Sequence, residues 1–230
     1  MMNRNYTLKQ MTGAGFTMLL ALFLFAACKK SDNYYYKYTN TTQEYNGTIL
    51  DYVIQHPASY DSVLVVLDRL PNLKALLNSE SDSSTFFAIN NRSFELAIKS
   101  LNTTRALTKK KPIYLKDVDL LELDSIMSRY VIKGAYNTSD LNGLKEGLKV
   151  RSAQYDYEMH IQYNVTDASG FTGGGQQQLI FSDPNNSIFK RYWQSINTTA
   201  VNIRTHNGVI HVLASGHDFG FNKFTKKFAH

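Results

Sequence analysis

The chain has 230 residues, 43% of them hydrophobic and 19% charged, the proportions of an ordinary folded protein. A mean hydropathy of −0.31 excludes a multi-spanning membrane protein, and 13 Gly with 4 Pro exclude a collagen-like or linker-dominated chain. The single cysteine can close no intramolecular disulfide and supply no Cys-based zinc cluster, so stability has to come from a packed core.

The chain opens on a basic stretch, Met1 to Gln10, which carries Arg4 and Lys9 and no acid. Phe16 to Ala27 (FTMLLALFLFAA) follows as an apolar run, too short for a membrane span of roughly 20 residues and shaped like the core of a secretory signal. Phe25-Ala26-Ala27-Cys28 is similar to the lipobox of bacterial lipoproteins. That resemblance implies a lipoprotein signal peptide over 1–27 and lipidation of Cys28. The alternatives are an ordinary signal with a coincidental cysteine, or a buried free thiol. Residues 28–45 are polar, lack aliphatic side chains and hold Tyr34, Tyr35, Tyr36 and Tyr38, so they read as a tether. Its tyrosines either meet a partner or lipid, or pack as an arm on the domain that follows. The net charge of +6 falls by two without residues 1–27, and Lys109-Lys110-Lys111 is the longest basic block. Nucleic-acid binding requires a denser basic stripe with a recognisable motif, so no nucleic-acid partner is expected.

From Thr48 the pattern changes. Thr48 is an N-cap type residue before Ile49, Leu50, Val53 and Ile54, which share a helical stripe ending at His56-Pro57. Asp61-Ser62 predicts the cap of a second helix over Val63–Leu70, and Leu73, Leu76 and Leu77 continue in a short turn. Thr85–Ile89 reads as a strand, Ser93–Leu101 as a helix, 102–111 as an exposed loop and Asp117–Tyr130 as a further helix. The last third reads as strands at 148–154, 159–165, 178–181, 199–204 and 209–213. In the last of these Ile210 and Val212 alternate with Val209, His211 and Leu213. Helices first and strands afterwards predict an α+β domain.

Three segments resemble the fasciclin (FAS1) family in order and spacing. Thr85–Phe94 (TFFAINNRSF) is similar to the family's TVFAPTNxAF, Leu123–Tyr136 (LDSIMSRYVIKGAY) to LxxxYHVVxGxY, and Asn207–Leu213 (NGVIHVL) to NGVIHVID. The resemblance covers roughly 46–218, and residues 219–230 are read as a C-terminal tail. It implies a single fasciclin-like α+β domain with N-terminal helices packed on a folded β-sheet or β-wedge. Arg129-Tyr130 replaces the family's Tyr-His pair, which puts an integrin-type role in doubt. The chain between Tyr136 and Asn207 is long, and the excess is placed at 165–197, where Gly170, Gly173-Gly174-Gly175 and Trp193 lie.

No chemistry-bearing constellation emerges. His56, His160, His206, His211, His217 and His230 have no metal-ligand spacing. No GxSxG elbow is present, Glu122 and Asp124 point to different helix faces, and the glycine triplet lacks the following Lys-Ser/Thr of a phosphate loop. No enzyme activity, catalytic residue, metal or cofactor is expected. Asp61-Ser62-Val63 and Asp124-Ser125-Ile126 resemble the D-[S/T]-aliphatic O-glycosylation signal of Bacteroidota, which marks Ser62 and Ser125. Tyr192, Trp193, Phe181 and Phe189 are the candidate binding residues; they either stack on sugars or pack the extended loop. The expected role is a lipid-anchored adhesion or binding protein of the outer membrane, facing the surface or the periplasm. The alternative is an accessory glycan- or peptide-binding subunit of a TonB-dependent uptake complex.

Overall fold

The computed structural model describes residues 43–165 and 175–229. The apolar run, Cys28, the tether up to residue 42, and Gly170, Gly173 and Gly174 lie outside the described residues. Local signals account for most helix boundaries. Thr48 starts α1 (Ile49–Gln55) with a capping box: its hydroxyl accepts from the Asp51 N–H at 3.1 Å, and the Asp51 carboxylate accepts from the Thr48 N–H at 2.9 Å. Pro57 and Pro71 each open a helix, α2 (Pro57–Arg69) and α3 (Pro71–Asn78), because proline at the first helical position gives up an N–H that has no partner there. The break expected at Asp61-Ser62 is a kink instead: helix begins at Pro57, and Tyr60 carries the irregularity (φ −131°). Ile54 also leaves its expected stripe and is 49% exposed.

Strand β2 (Ser84–Ala88) leads to Asn90, whose side chain accepts from the Ser93 N–H at 3.1 Å and caps α4 (Asn91–Leu107). This helix runs past its expected end. Asn102 uses its amide to donate to the Ile113 carbonyl and to accept from the Ile113 N–H, at 2.9 and 3.0 Å. A residue expected to open a loop thus ties the following loop to the helix, which closes only near Lys109 (φ 57°). Helix α5 (Leu120–Met127) continues through a 3₁₀ turn (Ser128–Tyr130) into β3 (Val131–Lys133). After α6 (Thr138–Leu141) come β4 (Leu148–Arg151), β5 (Glu158–Val165), β6 (Gln177–Asp183), a 3₁₀ turn (Lys190–Tyr192), β7 (Gln194–Thr205), β8 (Gly208–Leu213) and α7 (Lys223–Phe228). A short β1 (Gln43–Glu44) pairs parallel with β7.

The strands lie in the order β3-β2-β8-β7-β6-β5-β4. Strand β7 joins the two halves: its first residues pair with β6 and its later ones with β8, with register shifts between Thr198 and Ile203. An Ile132–Ser152 bridge draws the outer edges together, so the sheet is nearly a barrel. Strands β2 and β8 are parallel neighbours in the middle of their half and are covered on both faces, as parallel strands usually are. This corrects the one-sided alternation expected for β8: Val209, Ile210, His211 and Leu213 are all buried.

The segment expected as an insertion at 165–197 contains, where described, β6, the start of β7 and the connection between them. The expected tail is also part of the core. Phe219, Phe221, Phe224 and Phe228 are all buried, with Phe224 packed between Phe219 (5.3 Å) and Phe228 (5.1 Å). Phe224 and Phe228 stand four apart on α7 and therefore share one face. Between β7 and β8, Asn207-Gly208 does more than turn the chain. The Asn207 side chain accepts from the Ile49 N–H (2.8 Å) and donates to the Leu77 carbonyl (2.9 Å), binding α1 and α3 to the sheet. Gly208 lies so close to β2 that an added Cβ would stand 1.8 Å from the Ser84 carbonyl oxygen.

Candidate functional site

The connection from β6 to β7, residues 184–193, is built from its own side chains. Asp183 accepts from the Asn185 N–H at 2.8 Å, and Asn185 and Asn186 both adopt positive φ (52° and 58°), a conformation asparagine tolerates better than most residues. Trp193 folds back so that its indole N–H donates to the Ser187 carbonyl at 2.8 Å. One side of the ring leans on His160 (centroids 4.8 Å apart). His160 is itself held to the Glu146 carbonyl at 2.8 Å, and burial holds its pKa below the usual histidine value. Lys190 reaches Glu146 at 2.7 Å, pinning the loop across the start of β4.

Beneath the loop lies a groove of about 490 Å³. Trp193, Ile188 and Ser187 form its loop side; Lys149, Arg151 and Glu158 form part of its strand side. Those charges are already paired, Lys149 to Glu158 at 3.0 Å and Arg151 to Glu158 at 3.5 Å. The strand side was missed in the sequence, although LKVR on β4 alternates charged and apolar residues and so marks Lys149 and Arg151 as one face.

The four aromatics singled out in the sequence part company. Phe181 is a correction: it is fully buried and stacks on Phe87 at 3.8 Å, because the pairing of β6 with both β5 and β7 turns it into the core. Trp193 is half-buried at the groove. Phe189 and Tyr192 are exposed (55% and 53%), but their rings stand at 82° to one another. The Arg191 guanidinium lies over both rings, at 5.2 and 4.9 Å, so they form no common stacking platform. Ser62 and Ser125 sit within α2 and α5 and are partly buried, with the Ser125 hydroxyl bonded to the Tyr157 hydroxyl at 2.8 Å.

Below the root of the loop, Asp183 is 2% exposed and pairs with Arg129 (3.4 Å) and Lys223 (3.0 Å). Arg129 also lies over the Tyr157 ring at 3.8 Å. Nothing in sequence spacing brings these residues together. Next to Arg129, Tyr130 is completely buried; its hydroxyl accepts from the Gly220 N–H (2.7 Å) and donates to His217 Nε2 (2.5 Å). Burial lowers His217 to about 3 and His211 to about 4. His206 is exposed and bonds Asn46, whereas His211 is buried, so this pair does not converge. Among the described residues no group of His, Cys, Asp and Glu could hold a metal ion.

Among solved structures, the chain is similar to a FAS1 domain pair from the insect cell adhesion molecule fasciclin I. The TM-score is 0.51 at 14% identity, over 76% of this chain and 50% of that one. The fold is fasciclin-like. The chain thus spans about half the length of that domain pair. No protein-family model and no curated protein matches the sequence. Within the fasciclin-like fold the three sequence motifs supply β2, β3 and β8, which are consecutive in the sheet. Their spacing along the chain therefore encodes architecture. The β6–β7 connection and its groove lie outside all three.

Proposed function

We propose that the chain is a non-enzymatic, lipid-anchored binding or adhesion protein of the cell envelope, held by Cys28 and presenting its ligand groove beside Trp193. The observation that carries the binding half is the groove itself: an aromatic side chain locked by Ser187 and His160 faces Lys149, Arg151 and Glu158 across about 490 Å³. The lining is mostly polar and charged, with Trp193 and Ile188 as apolar surfaces among groups able to orient a polar ligand. The anchor half is supported by the sequence around Cys28, and the adhesion reading by the fold shared with an insect cell adhesion molecule.

A second reading, an accessory glycan- or peptide-binding subunit of an outer-membrane TonB-dependent uptake complex, draws on the same groove. Trp193 and paired charges suit sugar hydroxyls as well as a peptide backbone. Cys28→Ser should release the protein from the membrane fraction; a variant that remains anchored refutes the lipid attachment. Affinity isolation from solubilised membranes, with a glycan array run alongside, separates the two readings. Saturable sugar binding lost in Trp193→Ala supports the uptake role, and a co-purifying envelope protein without sugar binding supports adhesion.

A further inference from the structure

The β6–β7 connection exposes Ile188 (83%), at the open rim of the groove, together with Phe189 (55%) and Tyr192 (53%), interrupted by Lys190 and Arg191. We propose that this connection seats the domain on the anionic headgroup surface of a membrane. Ile188, Phe189 and Tyr192 would enter the boundary between headgroups and acyl chains, with Arg191 on the phosphates.

Chemistry and size converge on that occupant. Aromatic rings with a polar edge and long cations with an apolar stem are the side chains that settle at a bilayer interface. Lys190 is paired with Glu146, but Arg191 makes no ion pair among the described residues; its guanidinium lies only over Phe189 and Tyr192. An unneutralised cation among exposed apolar groups matches a surface that is negative above and apolar below. The cation over both ring faces also removes them as a flat seat for sugar. The three exposed side chains offer on the order of 350 Å², less than half of the roughly 800 Å² that one partner contributes to a standard protein interface. That is too little for a protein docking patch and enough for shallow insertion. The loop is also internally braced, by Trp193 on Ser187 and Lys190 on Glu146, so ordering it on a surface costs little conformational entropy.

The inference rests on the proposed anchor only for which membrane the loop meets.

Trp193, the single tryptophan of the chain, is a native reporter at the base of this loop. The experiment takes the full chain carrying Cys28→Ser, so failure of lipidation and failure of loop seating are read separately. Vesicles of phosphatidylethanolamine with about a third phosphatidylglycerol are compared with neutral phosphatidylcholine vesicles, each with and without bromine-labelled acyl chains. The expected result is a blue shift of Trp193 emission and quenching by brominated lipid on the anionic vesicles only. Arg191→Gln should weaken the titration about fivefold, the conversion of about 1 kcal/mol per surface cation. Ile188→Ser with Phe189→Ser should abolish the shift while leaving the unfolding transition unchanged. Vesicle binding with silent Trp193 emission, through the N-terminal apolar run alone, would overturn the proposal. So would a shift indifferent to lipid charge and to Arg191, or capture of a protein through Ile188 and Phe189 without any response to vesicles.

Discussion

Phe224→Ala tests whether the last residues of the chain are structural. Phe224 is fully buried between Phe219 and Phe228, and removing a buried phenylalanine ring costs about 3–5 kcal/mol, from lost transfer energy plus the cavity left behind. At about 2–4 °C per kcal/mol for a chain of this size, the midpoint should drop by roughly 6–20 °C. Equilibrium urea unfolding followed by far-UV circular dichroism reads the free energy directly, and a thermal scan reads the midpoint. Lys226→Ala, on the exposed side of the same helix, is the control and should stay within about 0.5 kcal/mol of the parent. A chain ending at Asp218 loses all four phenylalanines of this segment. At about 3 kcal/mol or more each, their sum rivals the whole stability of a typical domain, so this chain should show no cooperative transition. If Phe224→Ala costs less than about 1 kcal/mol, or the shortened chain unfolds cooperatively at the parent's midpoint, the segment is a tail after all.

Asp183→Asn leaves Arg129 and Lys223 facing each other without their shared carboxylate and should destabilise by about 3 kcal/mol; a double-mutant cycle with Lys223→Met should show strong coupling. Gly208→Ala should disrupt the β2–β8 pairing, since its Cβ would meet the Ser84 carbonyl at 1.8 Å and its φ is +153°; recovery of well-folded protein at parental stability would refute the steric reading. His211 and His217 are held neutral at about 4 and about 3, below the ordinary 6.5, so the unfolded chain binds more protons than the folded one in mild acid. Their contribution is complete above pH 6.5 and is lost as pH falls towards those values, amounting to about 2 kcal/mol per histidine by pH 5. Urea titrations from pH 7.5 down to 5 should show this decline; a flat profile would mean that these histidines are not buried neutral.

The tautomers follow from the contacts. The Asn202 N–H donates to His211 Nδ1 at 3.2 Å, leaving Nε2–H to donate to the Tyr136 carbonyl at 2.8 Å. A second proton on His211 would face a donor, which is the geometric counterpart of its lowered pKa. The replacement of the family-like Tyr-His pair by Arg129-Tyr130 has a comparable account. Arg129 serves Asp183 and Tyr157, while Tyr130 occupies a buried position with its hydroxyl satisfied by Gly220 and His217. The sequence marked the departure, and the tertiary contacts supply its reason.

Signals that act between near neighbours were legible in the sequence itself. Thr48 caps a helix, His56-Pro57 ends it, and Asn207-Gly208 turns β7 into β8, because each effect operates within a few residues; that Pro57 and Pro71 also open the next helices and that Asn90 caps α4 came from the fold. The α+β class followed from the order of such segments, and the fasciclin-like fold from three motifs that become adjacent strands. What each aromatic does was decided elsewhere. Phe181 lay in an expected strand and Trp193 in the stretch read as an insertion, both as candidate binding residues, but pairing of β6 on both sides buried one, and His160 with Ser187 fixed the other at the edge of a groove. Phe219 to Phe228 carried a helical spacing that could equally have faced solvent or a partner until the core closed over it. Caps and turns depend on local dihedral angles and short hydrogen bonds. Burial depends on which distant segments cover a face, and only the folded chain determines that.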